Sequence, residues 1–402
     1  MGADFYIKNL LILKSVTIGD IVNMRKILFV TERRADYSRF KPIIDKIIQD
    51  PNLDYYLVVT GVHLLKEHGK SVDLIKEDNL RITKIIPMFD EGHGDSGADM
   101  VRATGRFLVA ITEELERLRP DIVLAGFDIG ANFAVAVAAA HMNIPVGHVQ
   151  GGEVSGSIDE SLRHAISKFS HFHFPANKDA ADRLIRMGED PRCVYAVGCP
   201  SIDALVNVRD ISPEELSEEV GIDVSMPYFL VIQHTVTTEI DEVPQHIRET
   251  IAALKEFDIP SLLLYPNNDA GGQAIIREIE GTNIHRVRTL SYHVFSHILR
   301  RAAVLVGNSS TGIHESATFH VPTVNIGDRQ RGRVRPDNVI DVPNTKEQIQ
   351  LGIERALYDD QFLQKVQVCQ NPYGDGKSAE RIVKVLKEIS LSKDLIKKSF
   401  VE

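Results

Sequence analysis

Four segments of the sequence combine charged or reactive side chains with sharp turns, a pattern that suits chemistry on an anionic substrate. The first covers 31–37, reads TERRADY and directly follows an apolar run. A helix that begins here would place Arg34 beside backbone N–H groups that attract an anion. The alternative is an ordinary arginine–aspartate pair on the surface, which contributes little to stability.

The second segment covers 307–315 and reads GNSSTGIHE. The hydroxyls of Ser309 and Ser310, together with free N–H groups at the start of the helix predicted there, can hold a diphosphate. Glu315 follows one turn later and can accept hydrogen bonds from ribose hydroxyls. A helix cap formed by Ser310 and the glutamate is the structural alternative, but it leaves the Asn-Ser-Ser run unexplained.

The third segment is rich in glycine, covers 147–164 and reads GHVQGGEVSGSIDESLRH. Glycines let the backbone approach a ligand closely, and a helix is predicted from about Asp159. The four-residue spacing pairs Asp159 with Arg163 and Glu160 with His164. Several carboxylates and imidazoles in one cleft suit proton transfer at carbon. The alternative is an acidic first turn that stabilises the helix dipole.

Histidines form the last candidate group. His234 lies in the segment QHTVTTE, at the carboxyl end of a predicted strand, and this position favours a functional role in a cleft. His171 and His173 lie two apart in an apolar alternation and have no third ligand nearby in the sequence, so we expect no zinc site there.

Short apolar runs alternate with amphipathic stretches from Lys26 onward, which indicates parallel sheets covered by helices on both faces. In 107–118, apolar residues recur at helical spacing, and Pro120 ends that helix. The strands predicted for the first half are 26–31, 54–60, 81–86, 121–125, 145–149, 171–174 and 193–198. Those predicted for the second half are 228–233, 261–265, 284–287, 303–307, 322–326 and 339–342. Two more helices are predicted at 345–370 and 377–392.

The alternation stops and restarts across a polar region, 203–227, which we interpret as a seam between two domains. The predicted fold class is α/β, with two Rossmann-like, doubly wound parallel-sheet domains in a GT-B-like arrangement and an active site in the cleft between them. The expected divisions are 1–23, an N-terminal extension without chemistry; 24–205 and 206–376, the two domains; and 377–402, a C-terminal helix that packs back toward the first domain.

Composition argues against several classes of function. The 402 residues carry 46 basic and 56 acidic side chains, a net charge of −10, which argues against nucleic acid or an anionic membrane as the main partner. No apolar run approaches the 18 or more residues of a membrane span. The three cysteines form no CxxC motif, as is typical of a protein in a reducing cytoplasm. We therefore expect a cytoplasmic protein, and a local basic pocket for a phosphorylated small molecule remains compatible with this charge.

Taken together, these segments resemble the hydrolysing UDP-N-acetylglucosamine 2-epimerases that begin sialic acid biosynthesis. The motifs that carry the resemblance are RADYS, GGEVSGSIDESLRHAISK, QHTVTTE, GNSSTGIHES and NIGDRQRGR. They occur in the family's order and spacing from about Met24 to Leu386, and NPYGDG at 371–376 matches the bacterial members.

The resemblance implies no metal, no cofactor and a nucleotide held mainly by the second domain. Carried over by motif, the residues expected to contact the nucleotide are Arg34, His63, Ser309, Ser310, Glu315 and Arg329. Those expected around the sugar are Asp159, Glu160 and His234. The expected partner is a UDP-sugar, and the expected assembly is a homo-oligomer, either a dimer or a tetramer.

Two positions depart from the family pattern. Members usually show Gly-Asp-Arg after the fourth strand, whereas this chain reads Gly126-Phe127-Asp128. Asp128 is expected to replace the family aspartate through a one-residue shift, and the arginine is missing. Many members carry Glu at the place of Gln150, and some bacterial relatives carry His. Glutamine cannot take a proton, so if that glutamate is a base, this chain has lost or relocated it.

The family reaction removes the C2 proton of the sugar and expels the nucleoside diphosphate, which gives a glycal. Water then adds at C1, and a proton returns to the opposite face of C2. Asp128, Asp159 and Glu160 are the candidate bases, whereas His234 and Arg329 would stabilise the leaving group.

Three functions stay open at this level. The first is conversion of UDP-N-acetylglucosamine to N-acetylmannosamine and UDP. The second is the same reaction on a UDP- or GDP-2,4-diacetamido-2,4,6-trideoxy sugar for legionaminic-type acids. The third is a nucleotide-sugar-binding protein without turnover.

Overall fold

The computed structural model describes residues 24–90, 92, 94–267 and 269–401, so the expectation for 1–23 lies outside the described residues. The elements of the first half are β1 (Arg25–Thr31), α1 (Arg34–Ile48), β2 (Leu53–Thr60), α2 (Val72–Glu77), β3 (Lys84–Ile86), α3 (Gly97–Leu118), β4 (Ile122–Gly126), α4 (Gly130–His141), β5 (Val146–Val149), α5 (Ile158–Phe169), β6 (Phe172–Phe174) and α6 (Lys178–Arg186). Two helices, α7 (Pro200–Val206) and α8 (Pro213–Val220), lie in the region predicted as the seam.

The second half repeats the alternation. Its elements are β7 (Phe229–Ile232), α9 (Val243–Leu254), β8 (Ser261–Leu264), α10 (Gly272–Glu280), β9 (His285–Val287), α11 (Tyr292–Arg301), β10 (Val304–Gly307), α12 (Thr311–His314), β11 (Thr323–Ile326), β12 (Val339–Val342), α13 (Lys346–Tyr358), α14 (Asp360–Val368), α15 (Ser378–Glu388) and α16 (Lys393–Ile396).

Each half forms a six-stranded sheet in which all recorded strand pairs are parallel. The strand order is β3-β2-β1-β4-β5-β6 in the first sheet and β12-β11-β10-β7-β8-β9 in the second. In both sheets the order reverses at a central strand, which opens a crevice at the carboxyl ends of the strands. The predicted fold class, two doubly wound α/β domains, is confirmed.

Burial on both faces explains why these short segments form strands. In β1, Phe29 belongs to an apolar cluster on one face of the first sheet, and the adjacent Leu28 belongs to a cluster on the other face. The second sheet likewise has one apolar cluster on each face. A strand covered on both faces must be apolar almost throughout, which produces the continuous runs in the sequence.

The helix α15 follows the second half in sequence but packs with the first. Ile382 and Leu386 belong to the same apolar cluster as β1 and α1. Its N-terminus is held by Asp203 in α7, whose carboxylate accepts hydrogen bonds from the N–H groups of Ser378 (3.1 Å) and Ala379 (2.8 Å). This cap satisfies two of the N–H groups that a helix leaves unpaired at its start.

One predicted strand is wrong, and one predicted helical stretch is divided in two. The segment 193–198 is not a strand, although Tyr195 and Val197 donate backbone hydrogen bonds to the carbonyls of His173 and Pro175. Proline has no N–H to return, so the ladder cannot extend. The helix predicted at 345–370 is divided into α13 and α14 at Asp359, whose carboxylate caps α14.

No helix within the described ranges combines the length and the apolar character needed to cross a membrane.

Candidate active site

The cleft between the two sheets is lined by residues that follow the carboxyl ends of the strands. Of the described residues, seven arginines and five carboxylates line it, an excess of two positive charges in a chain whose net charge is −10. These charged lining residues are Arg33, Arg34, Arg39, Arg163, Arg288, Arg329, Arg333, Asp36, Asp128, Glu153, Asp159 and Glu315. The local balance favours an anionic ligand.

The glycine-rich loop of the first half touches the second half directly. The N–H of Gly156 donates to the carbonyl of Arg329 at 3.0 Å. A side chain at Gly156 would place its Cβ only 2.1 Å from the carbonyl oxygen of Asp328, so only glycine fits. This close approach brings the start of α5, which carries Asp159, beside Arg329.

Asp128 is held by a strained turn directly after β4. Phe127 has a φ of +68°, uncommon for a bulky residue, and its carbonyl lies 3.1 Å from Nε2 of the buried His148. The Asp128 carboxylate pairs with Arg163, and Arg33 lies 3.8 Å away. Burial alone would raise the pKa of Asp128, but the guanidinium groups of Arg163 and Arg33 outweigh it and lower the pKa to about 2.

Asp159 has the opposite electrostatic environment. Burial and the negative charge of Asp128 raise its pKa above the ordinary value, although Arg329 lies 3.5 Å from its carboxylate and acts in the other direction. The predicted pairing of Asp159 with Arg163 does not form, because Arg163 turns to Asp128 instead. Two neighbouring aspartates are thus pushed toward different protonation states, which is how an acid and a base are set apart.

Asp269 joins this group from the loop after β8 and bridges the two halves. Its carboxylate lies 3.3 Å from Arg33 and 3.7 Å from Arg329. Burial would raise its pKa, but Arg33 and Arg329 dominate and lower it. Sequence analysis missed Asp269 and Arg33, because their importance comes from pairing across the cleft between distant segments.

Arg34 also lines the cleft, but no carboxylate neutralises it among the described residues. Burial is the one cause that lowers its pKa, to about 10. It is therefore still a cation at neutral pH. Ser309 and Ser310 line the cleft on the side of the second half, and their contact with the nucleotide stays a prediction. An unpaired guanidinium opposite hydroxyl groups suits a phosphate.

His234 follows β7 and lines the cleft. Its backbone exchanges two hydrogen bonds with the side chain of Asn308, and its ring Nδ1 accepts from the N–H of Asn267 at 3.2 Å. Burial, assisted by the charge of Arg329, lowers its pKa to about 3. Since Nδ1 accepts, the neutral ring carries its proton on Nε2 and can donate from that atom.

Glu315 lines the cleft after the short helix α12. One carboxylate oxygen lies 3.5 Å from Arg39, whereas Oε2 is buried without a hydrogen-bond partner among the described residues. A buried acceptor without a partner lowers the stability of the folded protein, so Oε2 is suited to accept a hydrogen bond from a ligand hydroxyl.

Two predicted site residues do not line the cleft. His63 is fully buried, with Nε2 2.9 Å from the Thr31 hydroxyl and Nδ1 2.8 Å from that of Ser71. Both ring nitrogens are thus occupied by protein. Glu160 accepts from the N–H of Ser155 at 2.7 Å and fixes the glycine-rich loop. Its position one residue beyond Asp159 turns it away from the lining.

One group of three potential metal ligands occurs among the described residues: Cys199, His314 and Glu315. The guanidinium of Arg39, 3.5 Å from Glu315, would repel a cation there, and burial raises the pKa of the Cys199 thiol to about 11. Zinc requires a thiolate, so these residues fit a metal poorly. The expectation of no metal remains a prediction.

Comparisons with known proteins identify the family of this chain. A family model described as UDP-N-acetylglucosamine 2-epimerase matches residues 45–387. The hydrolysing UDP-N,N'-diacetylbacillosamine 2-epimerase of Legionella pneumophila is 37% identical over 380 residues, which are 93% of this chain and 99% of that protein. The chain belongs to the UDP-N-acetylglucosamine 2-epimerase family. The resemblance and the expectation of an enzyme of this kind are confirmed.

A second relative and two solved structures are also similar to this chain. The UDP-N-acetylglucosamine 2-epimerase of Neisseria meningitidis serogroup B is 32% identical over 320 residues, or 79% of this chain and 83% of that protein. The fold matches a crystal structure of a Neisseria meningitidis UDP-GlcNAc 2-epimerase bound to UDP-GlcNAc, with a TM-score of 0.75, 18% identity, and coverage of 90% of this chain and 100% of that chain. The Staphylococcus aureus MnaA–UDP structure matches with a TM-score of 0.77, 19% identity, and coverage of 90% and 96%.

The opposite environments of the two aspartates predict opposite effects on stability. Asp128→Asn should lower the free energy of unfolding at pH 7, by roughly 2 kcal/mol. Because the pKa of Asp128 is lower in the folded protein than its ordinary value of 3.8, its carboxylate stabilises the folded state at pH values above 3.8. This stabilisation is lost as the pH falls toward 2. Asp159→Asn should raise the free energy of unfolding at pH 7. The pKa of Asp159 is raised in the folded protein, so its ionisation destabilises the folded state as the pH rises above 3.8, and asparagine removes that cost.

Urea unfolding at pH 7 measures both effects, with the exposed Asp258→Asn as a control that should change little. A shift of the two site variants in the same direction would contradict the assigned environments.

Proposed function

We propose that this protein is a hydrolysing 2-epimerase of UDP-activated 2-acetamido sugars. The observation that carries the proposal is the placement of Asp128 and Asp159, with their pKa values moved apart, in the same cleft as Arg34, which has no carboxylate partner among the described residues. The reaction needs both features, because a proton must leave C2 while a diphosphate departs as an anion.

The proposed proton transfers use the aspartate pair. Asp128, whose pKa Arg163 and Arg33 lower, is assigned as the acceptor of the C2 proton, and Asp159, whose pKa burial and the charge of Asp128 raise, is assigned as the group that returns a proton to the opposite face of C2. The intermediate is a glycal. The oxygen of a water molecule bonds to C1 as Asp159 protonates C2, the proton that the water loses returns to Asp159, and Asp128 releases the original C2 proton to solvent. Glu160 is not part of this assignment, since it does not line the cleft and its Oε2 accepts from the Ser155 N–H.

The proposed leaving-group contacts lie on both sides of the cleft. Arg34 and Arg329 would balance the charge of the departing UDP, and Nε2 of the neutral His234 would donate a hydrogen bond to it. Ser309 and Ser310 would bind the diphosphate, and the free oxygen of Glu315 would accept from the ribose. These contacts are proposed from the motif and from the position of each side chain.

Two sugars are candidates within this substrate class. The Legionella relative, 37% identical, acts on UDP-N,N'-diacetylbacillosamine, and the Neisseria relative, 32% identical, is a UDP-N-acetylglucosamine 2-epimerase. The released sugar would feed synthesis of legionaminic-type acids in the first case and of sialic acid, through N-acetylmannosamine, in the second. The cytoplasmic location and the homo-oligomer stay predictions.

Turnover in D₂O tests the reaction. Both UDP-sugars are incubated with the protein, release of UDP is followed, and the product is examined by proton NMR. We expect deuterium at C2 with the configuration inverted, because the returning proton comes from an exchanging group. Asp128→Asn and Asp159→Asn should each reduce the rate by about 10²-fold or more.

Other outcomes identify the alternatives. Release of UDP with protium retained at C2 would contradict elimination and indicate simple hydrolysis. Binding of the UDP-sugars without release of UDP would favour a protein that binds without turnover.

Glu315→Gln tests the nucleotide contact. The variant keeps the shape of the side chain but removes the charge, so UDP should bind more weakly by about 1–3 kcal/mol. Isothermal calorimetry with UDP measures the loss, and the exposed Glu347→Gln is the matched control. Unchanged affinity in Glu315→Gln would remove this residue from the proposed ribose contact.

A further inference from the structure

Gln150 occupies a constrained position in the cleft lining. It follows β5 directly, its φ is +58°, and its N–H donates to the carbonyl of Phe174 at 2.9 Å. The residue is only 3% exposed. A positive φ in a residue other than glycine is strained and persists where the surrounding structure holds it.

The orientation of the Gln150 carboxamide follows from its neighbour. Its Nε2 donates to Oε1 of Glu153 at 3.2 Å. Oε2 of Glu153 lies 2.9 Å from Nε2 of His314 and 3.6 Å from Nε of Arg333. Beside these groups the Glu153 carboxylate is ionised, so it accepts hydrogen bonds and has no proton to donate. The amide nitrogen must therefore face Glu153, which leaves Oε1 of Gln150 buried and without a partner among the described residues.

Glu153 and Asp128 are linked through Arg163. Arg163 donates to the backbone carbonyl of Glu153 at 3.0 Å and also pairs with Asp128. The carboxamide of Gln150 is thus held in one orientation by the same network that fixes Asp128. A buried acceptor kept unpaired by a rigid surrounding is typical of a site completed by its ligand.

We propose that Oε1 of Gln150 accepts a hydrogen bond from an N–H or O–H group of the sugar, and that position 150 is a specificity-determining contact rather than a base in this chain. The inference rests on the proposed function for the identity of the sugar nucleotide. A carboxamide cannot take up a proton at neutral pH, so proton transfer remains with Asp128 and Asp159.

Gln150→Met tests the contact by binding alone. Methionine has a similar length and no acceptor of comparable strength, so affinity for UDP-N-acetylglucosamine should fall about 10-fold. Affinity for UDP, which lacks the sugar, should change less than about 2-fold. The exposed Gln361→Met is the matched control, and thermal melting verifies the fold. Equal losses for both ligands, or no loss for either, would overturn the proposal.

UDP-glucose distinguishes the two donor types. If the donor is the acetamido N–H, wild type and Gln150→Met should bind UDP-glucose equally. If the donor is a hydroxyl, wild type should bind UDP-glucose more tightly than Gln150→Met does, by the same ratio as for UDP-N-acetylglucosamine. These binding measurements are independent of turnover. A wild-type protein that binds but releases no UDP would therefore refute the proposed function and leave this contact standing.

Gln150→Glu tests whether position 150 acts as a sugar contact or as a base. The two roles predict opposite changes as pH rises: a loss of affinity for a contact, and a gain in kcat for a base. A protonated carboxyl can copy the carboxamide, since its O–H donates to Glu153 and its carbonyl remains an acceptor. Burial and the charge of Glu153 oppose ionisation of the introduced carboxyl, whereas the surrounding cations favour it. The other charged or titratable groups of this network are His314, Arg333, Arg163 and Asp128.

We expect affinity of Gln150→Glu for UDP-N-acetylglucosamine, relative to wild type, to be near unity at low pH and to fall as pH rises and the carboxyl ionises. A kcat that exceeds that of wild type and increases with pH would instead show that a base belongs at position 150, and it would overturn the proposal.

Discussion

The structure depends on a set of ion pairs between guanidinium and carboxylate groups, buried where the two halves meet. Its members are Arg33, Arg163, Arg329, Asp128, Asp159 and Asp269. The pairs Arg33–Asp269 and Arg329–Asp159 each join a residue of one half to a residue of the other. The network therefore fixes the relative position of the halves and the charge state of each carboxylate together.

The two sheets supply the precision that this network needs. Asp128 and Gln150 follow adjacent parallel strands, and the turns before or at them have positive φ values at Phe127 and Gln150. His148 in the second of these strands bonds to the carbonyl of Phe127. Such backbone strain is expected where function, rather than stability, determines the conformation.

The sequence predicts the scaffold better than the site. Strands buried on both faces leave continuous apolar runs, and residues after their carboxyl ends must meet in one crevice, which is why Asp159 and His234 could be placed there. Asp269 could not be predicted, because its two arginine partners come from segments far apart in the chain. His63 was placed in the cleft by motif, yet its two hydroxyl partners hold it inside the first domain.

In the free protein, the neighbouring Asp128 and Asp159 should differ in pKa. Carbon-13 NMR of protein labelled at the aspartate carboxyl carbon, titrated with pH, measures this directly, and spectra of the asparagine variants assign the two signals. We expect the Asp128 signal to stay mainly that of a carboxylate until the pH approaches about 2, whereas the Asp159 signal should titrate above pH 3.8. Two signals that titrate together near the ordinary value would contradict it.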